Sequence, residues 1–304
     1  MERRFYALRL WYDGGRFRGF QRQPGLPTVQ EALEDALRRA LRQGASAPGA
    51  REVPSLVVAA RTDAGVHAVG QVVSFSMRAA LDPDALRRAL NATLPEGLAV
   101  LEAWAARAGF HARSAALSRT YVYLVGVDVP APLRAYAWSL PDARAFPGLG
   151  TAAPALTDTG DGAHLRPGDP AGLTTPAAPL HLDPAGLRAA LSLAVGEHDF
   201  AGFARPGEQR GTVRTLLSAE VVSANWAPLH AIVLTGKGFL RAMVRNLVGT
   251  AVTAAVGLAP ASHLGELLLA RGRYRGVRAP GWGLTLANVA YPPGTAPPSP
   301  PKAP

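Results

Sequence analysis

One eight-residue segment of the sequence carries the residue types of an acidic catalytic centre. It is Arg61-Thr62-Asp63-Ala64-Gly65-Val66-His67-Ala68, and it lies between two runs rich in Val, Ser and Phe. Small residues and Gly65 around Asp63 let the backbone pass close to a ligand while the carboxylate stays exposed. Arg61, two residues earlier, could hold that carboxylate in its ionised form or bind a phosphate. The same spacing is also typical of a tight turn with an Asx-type aspartate and a surface arginine.

A pair of tyrosines in the middle of the chain offers a second kind of chemistry. Tyr121 and Tyr123 follow Arg119-Thr120 and, two residues apart, share one face of a predicted strand. Two tyrosines on a strand are typical of simple packing. If one ring faces a cleft, it could stack on a nucleobase and offer its hydroxyl for proton transfer.

A glycine-rich turn before a predicted helix contributes two cationic groups. The segment Gly236-Lys237-Gly238-Phe239-Leu240-Arg241 leads into the helix predicted over 238–257, on which Arg241 and Arg245 are i,i+4 neighbours. This arrangement could hold a phosphate against a helix N-terminus. The spacing of a P-loop is absent, and the two arginines are also consistent with a solvated helix face.

Several other reaction classes lack their sequence signals. The absence of Cys excludes disulfides, thiolate metal sites and cysteine nucleophiles. The run Glu197-His198-Asp199 offers three possible metal ligands, but adjacent residues point in different directions and no H-E-x-x-H spacing occurs, so we expect no metal site. Neither a G-x-S-x-G elbow nor a G-x-G-x-x-G after a strand is present, which disfavours serine hydrolases and dinucleotide enzymes.

The charge balance favours a polyanionic partner. Of 304 residues, 32 are Lys or Arg and 22 are Asp or Glu, so the net charge is +10, which favours nucleic acid. Codon usage could also produce this excess, because all the basic residues except Lys237 and Lys302 are Arg. The hydrophobic fraction of 48% predicts a folded globular chain. Without an apolar run near ~20 residues or a signal-peptide pattern, we expect a cytoplasmic protein with no membrane contact.

The surrounding sequence predicts the elements that position these groups. Alternating apolar residues indicate a strand over 5–12, and strands predicted at 53–60 and 70–77 place the Asp63 segment in the connection between them. Thr28 and Glu31 form a capping box for a helix.

Asp-Pro pairs at 82–83 and 183–184 start two helices of similar sequence, which indicates either two similar halves or a helix start that arose twice. Further strands are predicted at 98–104, 119–127, 215–224, 229–235 and 284–291, and a further helix at 262–271.

Taken in order, these segments resemble the tRNA pseudouridine synthase A family. The shared motifs are Tyr12-Asp13-Gly14-Gly15-Arg16-Phe17-Arg18-Gly19-Phe20-Gln21, the run 61–72 that contains Asp63, Phe110-His111-Ala112-Arg113, Arg119-Thr120-Tyr121-Val122-Tyr123, Gly196-Glu197-His198-Asp199-Phe200, Val213-Arg214-Thr215, and Gly238-Phe239-Leu240-Arg241-Ala242-Met243-Val244-Arg245-Asn246. Seven motifs in the order of the family are not a chance occurrence.

The resemblance implies a fold and an activity. The fold is of class α+β, with two α/β halves that share a central, mainly antiparallel sheet, helices packed on it, and an active-site cleft between the halves. We expect an N-terminal half at 1–110 with the Asp loop, a C-terminal half at 111–291 with a Pro- and Gly-rich insertion at 141–182, and a disordered Pro-rich tail at 292–304. The implied activity converts uridine to pseudouridine in the anticodon stem-loop of tRNA, at tRNA nucleotides 38–40, by a homodimer without metal or other cofactor.

The resemblance also assigns residue roles. It implies that Asp63 is the catalytic aspartate, Tyr121 the active-site tyrosine, Arg61 the base-flipping arginine and Leu240 the apolar residue beneath the base. For the arginine that pairs with Asp63 we favour Arg214 over Arg245. The substrate-binding residues expected from the matched motifs are Arg61, Leu240, Phe20, Gln21, His67, Arg113, Arg241 and Arg245.

The reaction explains these residue types once uridine is the substrate. The C1′–N1 bond must break, the uracil must rotate and C5 must join C1′, so an ionised carboxylate has to act while the base stays trapped. Asp63 could attack C1′, attack C6, or remove a ribose proton to give a glycal, and the sequence leaves these routes open. The alternative function is a non-catalytic RNA-binding protein in which Asp63 is only a turn residue, and a metal-dependent phosphodiesterase is a third class.

Overall fold

The computed structural model of the protein describes residues 3–44, 53–140, 180–204, 211–269 and 276–295. Residues 141–179 of the predicted insertion and 296–304 of the predicted tail lie outside the described residues. Residues 292–295, which begin that tail, are described and form a turn, in which both the backbone nitrogen and the hydroxyl of Thr295 donate to the carbonyl of Pro292 (3.0 and 2.6 Å).

Ten strands from the described residues form a single sheet. In chain order they are β1 (Arg4–Tyr12), β2 (Val57–Val58), β3 (His67–Met77), β4 (Leu98–Ala106), β5 (Ser118–Val127), β6 (Trp138–Leu140), β7 (Gly196–Asp199), β8 (Val213–Ser223), β9 (Leu229–Gly236) and β10 (Leu284–Ala290). Their order is β4-β1-β3-β10-β5-β9-β8-β7, with β2 beside β3 and β6 beside β5. Within the described sheet every pairing is antiparallel except β3–β10 and β5–β6, which confirms the predicted α+β fold with a central, mainly antiparallel sheet.

The apolar alternation in β1 has the expected structural meaning. Tyr6, Leu8, Leu10 and Tyr12 are at most 3% exposed and lie on one face of the strand, which pairs with β3 on one side and β4 on the other. β2 is shorter than the strand predicted over 53–60, because only Val57 and Val58 pair with β3. The chain therefore leaves the sheet just before the Asp63 segment.

The last strand of the chain brings the candidate site together. β10 lies between β3 and β5, and its Leu286 pairs in parallel with Ala68 and antiparallel with Tyr121. Because Ala68 is the last residue of the Asp63 segment, this register places the end of that segment two strands from Tyr121, with only β10 between them. Strands from both predicted halves thus share one sheet and one hydrophobic core, and the division after residue 110 stays a prediction.

Five helices accompany the sheet in the described segments: α1 (Val29–Gly44), α2 (Pro83–Asn91), α3 (Pro184–Ser192), α4 (Met243–Ala255) and α5 (His263–Leu269). The Asp-Pro starts of α2 and α3 are confirmed, since Asp82 and Asp183 each accept hydrogen bonds from backbone nitrogens of the first turn. None of the described helices combines the length and apolarity needed to span a membrane.

The helix predicted over 238–257 begins later than expected. Its first helical residue is Met243, because Ala242 has a left-handed backbone (φ 61°, ψ 0°) that interrupts regular helix geometry. α4 then packs a nearly continuous apolar surface into the core, with Leu247, Val248 and Ala251 fully buried. Arg241 therefore lies before the helix and Arg245 lies in its first turn.

Candidate active site

A buried polar network fixes the loop that carries Asp63. The Tyr12 hydroxyl lies 2.7 Å from the Thr62 hydroxyl, and the Gln71 amide donates to both the Tyr12 hydroxyl (3.2 Å) and the Ala60 carbonyl (2.7 Å). Burial raises the pKa of Tyr12 to about 12, so its hydroxyl keeps its proton at neutral pH. Tyr12 lies on β1 and Gln71 lies on β3. These bonds therefore hold Ala60 and Thr62, the two neighbours of Arg61, against the sheet.

Close backbone approaches hold the other side of the loop. Gly65 has a left-handed backbone (φ +78°), which a side chain would strain. Gly281 packs so closely that a Cβ atom there would lie 2.5 Å from the carbonyl oxygen of Ala64. The Phe20 nitrogen donates to the Thr62 carbonyl (3.1 Å) on the opposite side. Asp63 therefore sits in a loop confined by two other chain segments.

The Asp63 carboxylate faces two arginines. Arg245 Nη1 lies 3.4 Å from Oδ2, and Arg241 Nε lies 3.8 Å from Oδ1. The Asp63 side chain is 26% exposed, Arg245 is 19% exposed and Arg241 is 64% exposed. Arg245 is also anchored, because its Nε donates to the Ala279 carbonyl (2.7 Å). The carboxylate is thus accessible, while the more buried of its two cations is fixed in position.

The left-handed residue Ala242 separates these two arginines. In one continuous helix Arg241 and Arg245 would be i,i+4 neighbours, as the sequence predicts. That prediction is wrong, because Ala242 has a left-handed backbone and Arg241 lies before the helix. The two arginine side chains contact different oxygens of Asp63. A non-glycine residue in this conformation is strained, and such strain concentrates at functional sites.

Tyr121 lies at the inner wall of the site. Its ring is only 7% exposed and packs edge-on against Phe239, with the ring centroids 5.2 Å apart. Burial raises the pKa of Tyr121, and Tyr12 and Asp63 add smaller contributions in the same direction. The hydroxyl is therefore a neutral phenol at neutral pH. Leu240, next to Phe239, is also buried.

A pocket of about 260 Å³ opens beside the Asp63 loop. Four of the residues expected to bind substrate line it, namely Phe20, Gln21, Arg61 and Arg113, together with Gln30, His111 and the β2 region. Arg61 and Arg113 are exposed cations, whereas the Phe20 ring is almost completely buried in the floor. The pocket therefore combines an apolar base with positive charge and amide groups at its rim.

Comparison with known proteins shows the family of this chain. Residues 11–113 and 190–292 match the family model described as tRNA pseudouridine synthase. The chain belongs to the tRNA pseudouridine synthase family. It is 36% identical over 293 residues to a tRNA pseudouridine synthase A from Neisseria gonorrhoeae (strain NCCP11945), covering 94% of this chain and 92% of that protein. Proteins of the same name from Frankia casuarinae (94% and 89% covered) and Chloroflexus aurantiacus (strain ATCC 29366 / DSM 635 / J-10-fl; 96% and 90% covered) are each 37% identical.

In this member of the tRNA pseudouridine synthase family, the arginine beside Asp63 is not Arg214, which the sequence favoured. Arg214 lies on β8, and its Nη1 donates to the backbone carbonyls of Gly211 and Val213 (3.2 and 2.6 Å). Three strands separate β8 from β3, so at ~4.8 Å per strand the two strands are roughly 19 Å apart. The preference for Arg214 was wrong, and Arg245 is the partner of Asp63.

His67 was expected to bind substrate, and its burial contradicts that role. The side chain is 6% exposed, Nδ1 accepts from the Gly14 nitrogen (3.1 Å), and Nε2 faces the Trp282 carbonyl (3.0 Å). Burial lowers the pKa of His67, and the Asp13 carboxylate, whose Oδ1 lies 3.2 Å from Nδ1, opposes this shift in part. His67 therefore holds the exit of the Asp63 loop.

Three residues near the site received no role from the sequence. Phe239 packs on Tyr121, Gln71 holds the loop at Ala60, and Arg119 contacts several loops at once. Arg119 could have been noticed, because it shares the inward face of β5 with Tyr121 and Tyr123, where a charged residue is unusual. The side chains of the Glu197-His198-Asp199 run do not come together as a metal-binding group, because no group of three or more potential metal-ligating side chains occurs within the segments that the structure describes.

Proposed function

We propose that this chain isomerises uridine to pseudouridine in the anticodon stem-loop of tRNA, with Asp63 as nucleophile and without metal or other cofactor. The observation that carries the proposal is the Asp63 carboxylate, which is accessible and has a cation beside each oxygen. Family membership supports the substrate, because relatives that match along almost their whole length are named tRNA pseudouridine synthase A.

The Asp63 carboxylate has the chemistry that the reaction needs. On the route through C1′, an Asp63 oxygen bonds to C1′ as the C1′–N1 bond breaks, and the electron pair leaves with N1. The uracil then turns, C5 bonds to C1′, and the carboxylate is released; the proton on C5 leaves and N1 gains one. Routes through C6 or through a glycal require the same ionised carboxylate. Arg245 Nη1 lies 3.4 Å from Oδ2 and holds the carboxylate by a charge-assisted contact when it is free.

Tyr121 is the residue that we propose to relay protons. Its burial keeps the phenol protonated, so it enters the reaction as a hydrogen-bond and proton donor. Phe239 packs edge-on against its ring, and we propose that the small part of Tyr121 that remains exposed, 7%, contacts the uracil. Leu240 supplies the apolar support beneath the base.

The pocket that Arg61 and Arg113 line suits the RNA around the target uridine. A stem uridine must leave its helix before it can react, which costs a few kcal/mol. We propose that Arg61 fills the vacated position, while Arg113 and Gln21 bind the displaced strand at the pocket rim. Phosphate contacts by arginines release counterions, so the affinity for tRNA should fall steeply as the salt concentration rises.

Two further properties rest on the family resemblance. We propose that the protein is a homodimer, which sedimentation equilibrium of the purified chain tests, with a monomer mass at micromolar concentration as the contradicting result. We also propose that it acts in the cytoplasm, where tRNA is modified, and fractionation of the source cells tests this.

The decisive test of function is product mapping. An unmodified tRNA transcript is incubated with the protein in the presence of a chelator, and pseudouridine is located nucleotide by nucleotide. Pseudouridine in the anticodon arm supports the proposal. Binding of the tRNA without modification supports the RNA-binding alternative, and strand cleavage that the chelator abolishes supports the phosphodiesterase.

A further inference from the structure

Arg119 is a buried cation whose described hydrogen bonds all go to backbone carbonyls. Its side chain lies on the inward face of β5, and the residue is 8% exposed. Nη1 donates to the carbonyls of Lys237 (2.8 Å) and Ala116 (3.3 Å), and Nη2 donates to those of Arg113 (2.7 Å) and Ala59 (3.0 Å). All four hydrogens of the two terminal nitrogens are therefore in use.

The carbonyls that Arg119 binds belong to three separate loops around the site. Ala59 precedes the Asp63 loop, Arg113 and Ala116 belong to the segment that lines the pocket, and Lys237 starts the turn that leads to Phe239, Leu240 and Arg241. The most distant of them along the chain, at Lys237, is 118 residues from Arg119. The Arg119 guanidinium group thus connects three loops, which carry Asp63, Arg113 and Arg241.

We propose that Arg119 is a positioning residue, which sets the spacing of the loops that carry Asp63, Arg113 and Arg241 and so determines the rate of the proposed reaction. The inference rests on the proposed function. A shift of about 1 Å in a reacting group can reduce a rate roughly 100-fold, so a device that fixes three loops against one another bears directly on catalysis.

The proposal depends on the shape of the guanidinium as well as its charge. A planar fork delivers hydrogens in two directions, so that each terminal nitrogen serves two carbonyls. A lysine ammonium carries the same charge on one nitrogen with three hydrogens and cannot reach both pairs of carbonyls. Arg119 also lies within electrostatic range of Tyr121. Arg119→Lys keeps the positive charge near Tyr121 but removes the planar guanidinium. The variant therefore separates the effect of the charge from the effect of the hydrogen bonds to the loops.

The test compares Arg119→Lys and Arg119→Met with a matched control at another shielded arginine. Arg9 on β1 forms an ion pair with Glu102 on β4 at 3.2 Å, and their side chains are 15% and 16% exposed. This ion pair joins two neighbouring strands and does not involve the loops around the site. Each full-length variant is measured for single-turnover pseudouridine formation at saturating enzyme, for tRNA affinity, and for the midpoint of thermal unfolding.

We expect Arg119→Lys to fold and to bind tRNA within about threefold of the wild-type affinity, while its single-turnover rate falls about 10- to 100-fold. Arg119→Met should lose at least as much rate, and Arg9→Met should lose stability without losing rate. A wild-type rate in Arg119→Lys, an equal loss of rate in Arg9→Met, or failure of both Arg119 variants to fold would overturn the positioning role. An inactive wild-type protein would instead refute the proposed function.

Discussion

Replacement of Arg245 by Gln should remove most of the activity. The variant deletes the cation 3.4 Å from Asp63 Oδ2 and keeps a side chain that can still donate hydrogen bonds. Coulomb's law at this distance, with an effective dielectric constant of about 20, gives roughly 5 kcal/mol for the pair. Because the pair is partly exposed and Arg241 remains at the other oxygen, the net attraction is smaller than this value. Arg245 acts on the rate by holding the carboxylate in place from its anchor on the Ala279 carbonyl, and a displacement of about 1 Å reduces a rate on the order of 100-fold.

The assay measures single-turnover conversion of a tRNA transcript at saturating enzyme, so that binding does not limit the rate. Arg214→Gln is the matched control, since it makes the same chemical change at an arginine whose described hydrogen bonds go to the carbonyls of Gly211 and Val213. Arg214→Gln should retain the wild-type rate within about twofold. A large loss in Arg214→Gln together with an active Arg245→Gln would refute the assignment of Arg245 as the partner of Asp63.

Three other outcomes follow from the structure. Tyr121→Phe keeps the ring packing on Phe239 but removes the proposed proton relay, so single-turnover rates should fall about 100-fold while tRNA affinity is unchanged; an unchanged rate would exclude that role. Ala242→Gly should raise the free energy of unfolding by about 1 kcal/mol in denaturant titrations, because glycine adopts φ 61° without strain, and a decrease would contradict strain at this position. Burial lowers the pKa of His67, so the folded protein binds fewer protons than the unfolded chain and its stability should fall as the pH drops below 6.5; His67→Gln should flatten this dependence, and an equally steep profile in that variant would assign the effect to other groups.

Local sequence signals predicted the elements whose stabilising contacts are close in the chain. The alternation in β1 and the Asp-Pro starts of α2 and α3 each depend on neighbouring residues, and the structure confirms them. The start of the helix predicted at 238 was wrong, because Ala242 adopts a left-handed conformation that alanine does not signal.

The partner of Asp63 could not be identified from the sequence because the pairing is tertiary. Arg245 is 182 residues from Asp63 along the chain, and the two meet because β10 inserts between β3 and β5 and because Ala279 anchors the arginine. Arg214 lies in an equally suggestive motif but on a distant strand. His67 is similar, since only the approach of Gly14 and Trp282 shows that its ring is internal.

The most direct test of Asp63 as nucleophile compares Asp63→Asn with the wild type in the mapped tRNA assay, with chelator present throughout. Asparagine has nearly the same shape but cannot supply an ionised carboxylate, so we predict that the variant binds tRNA and forms no pseudouridine, while the wild type modifies the anticodon arm. Pseudouridine formation by Asp63→Asn at the wild-type rate would contradict the account.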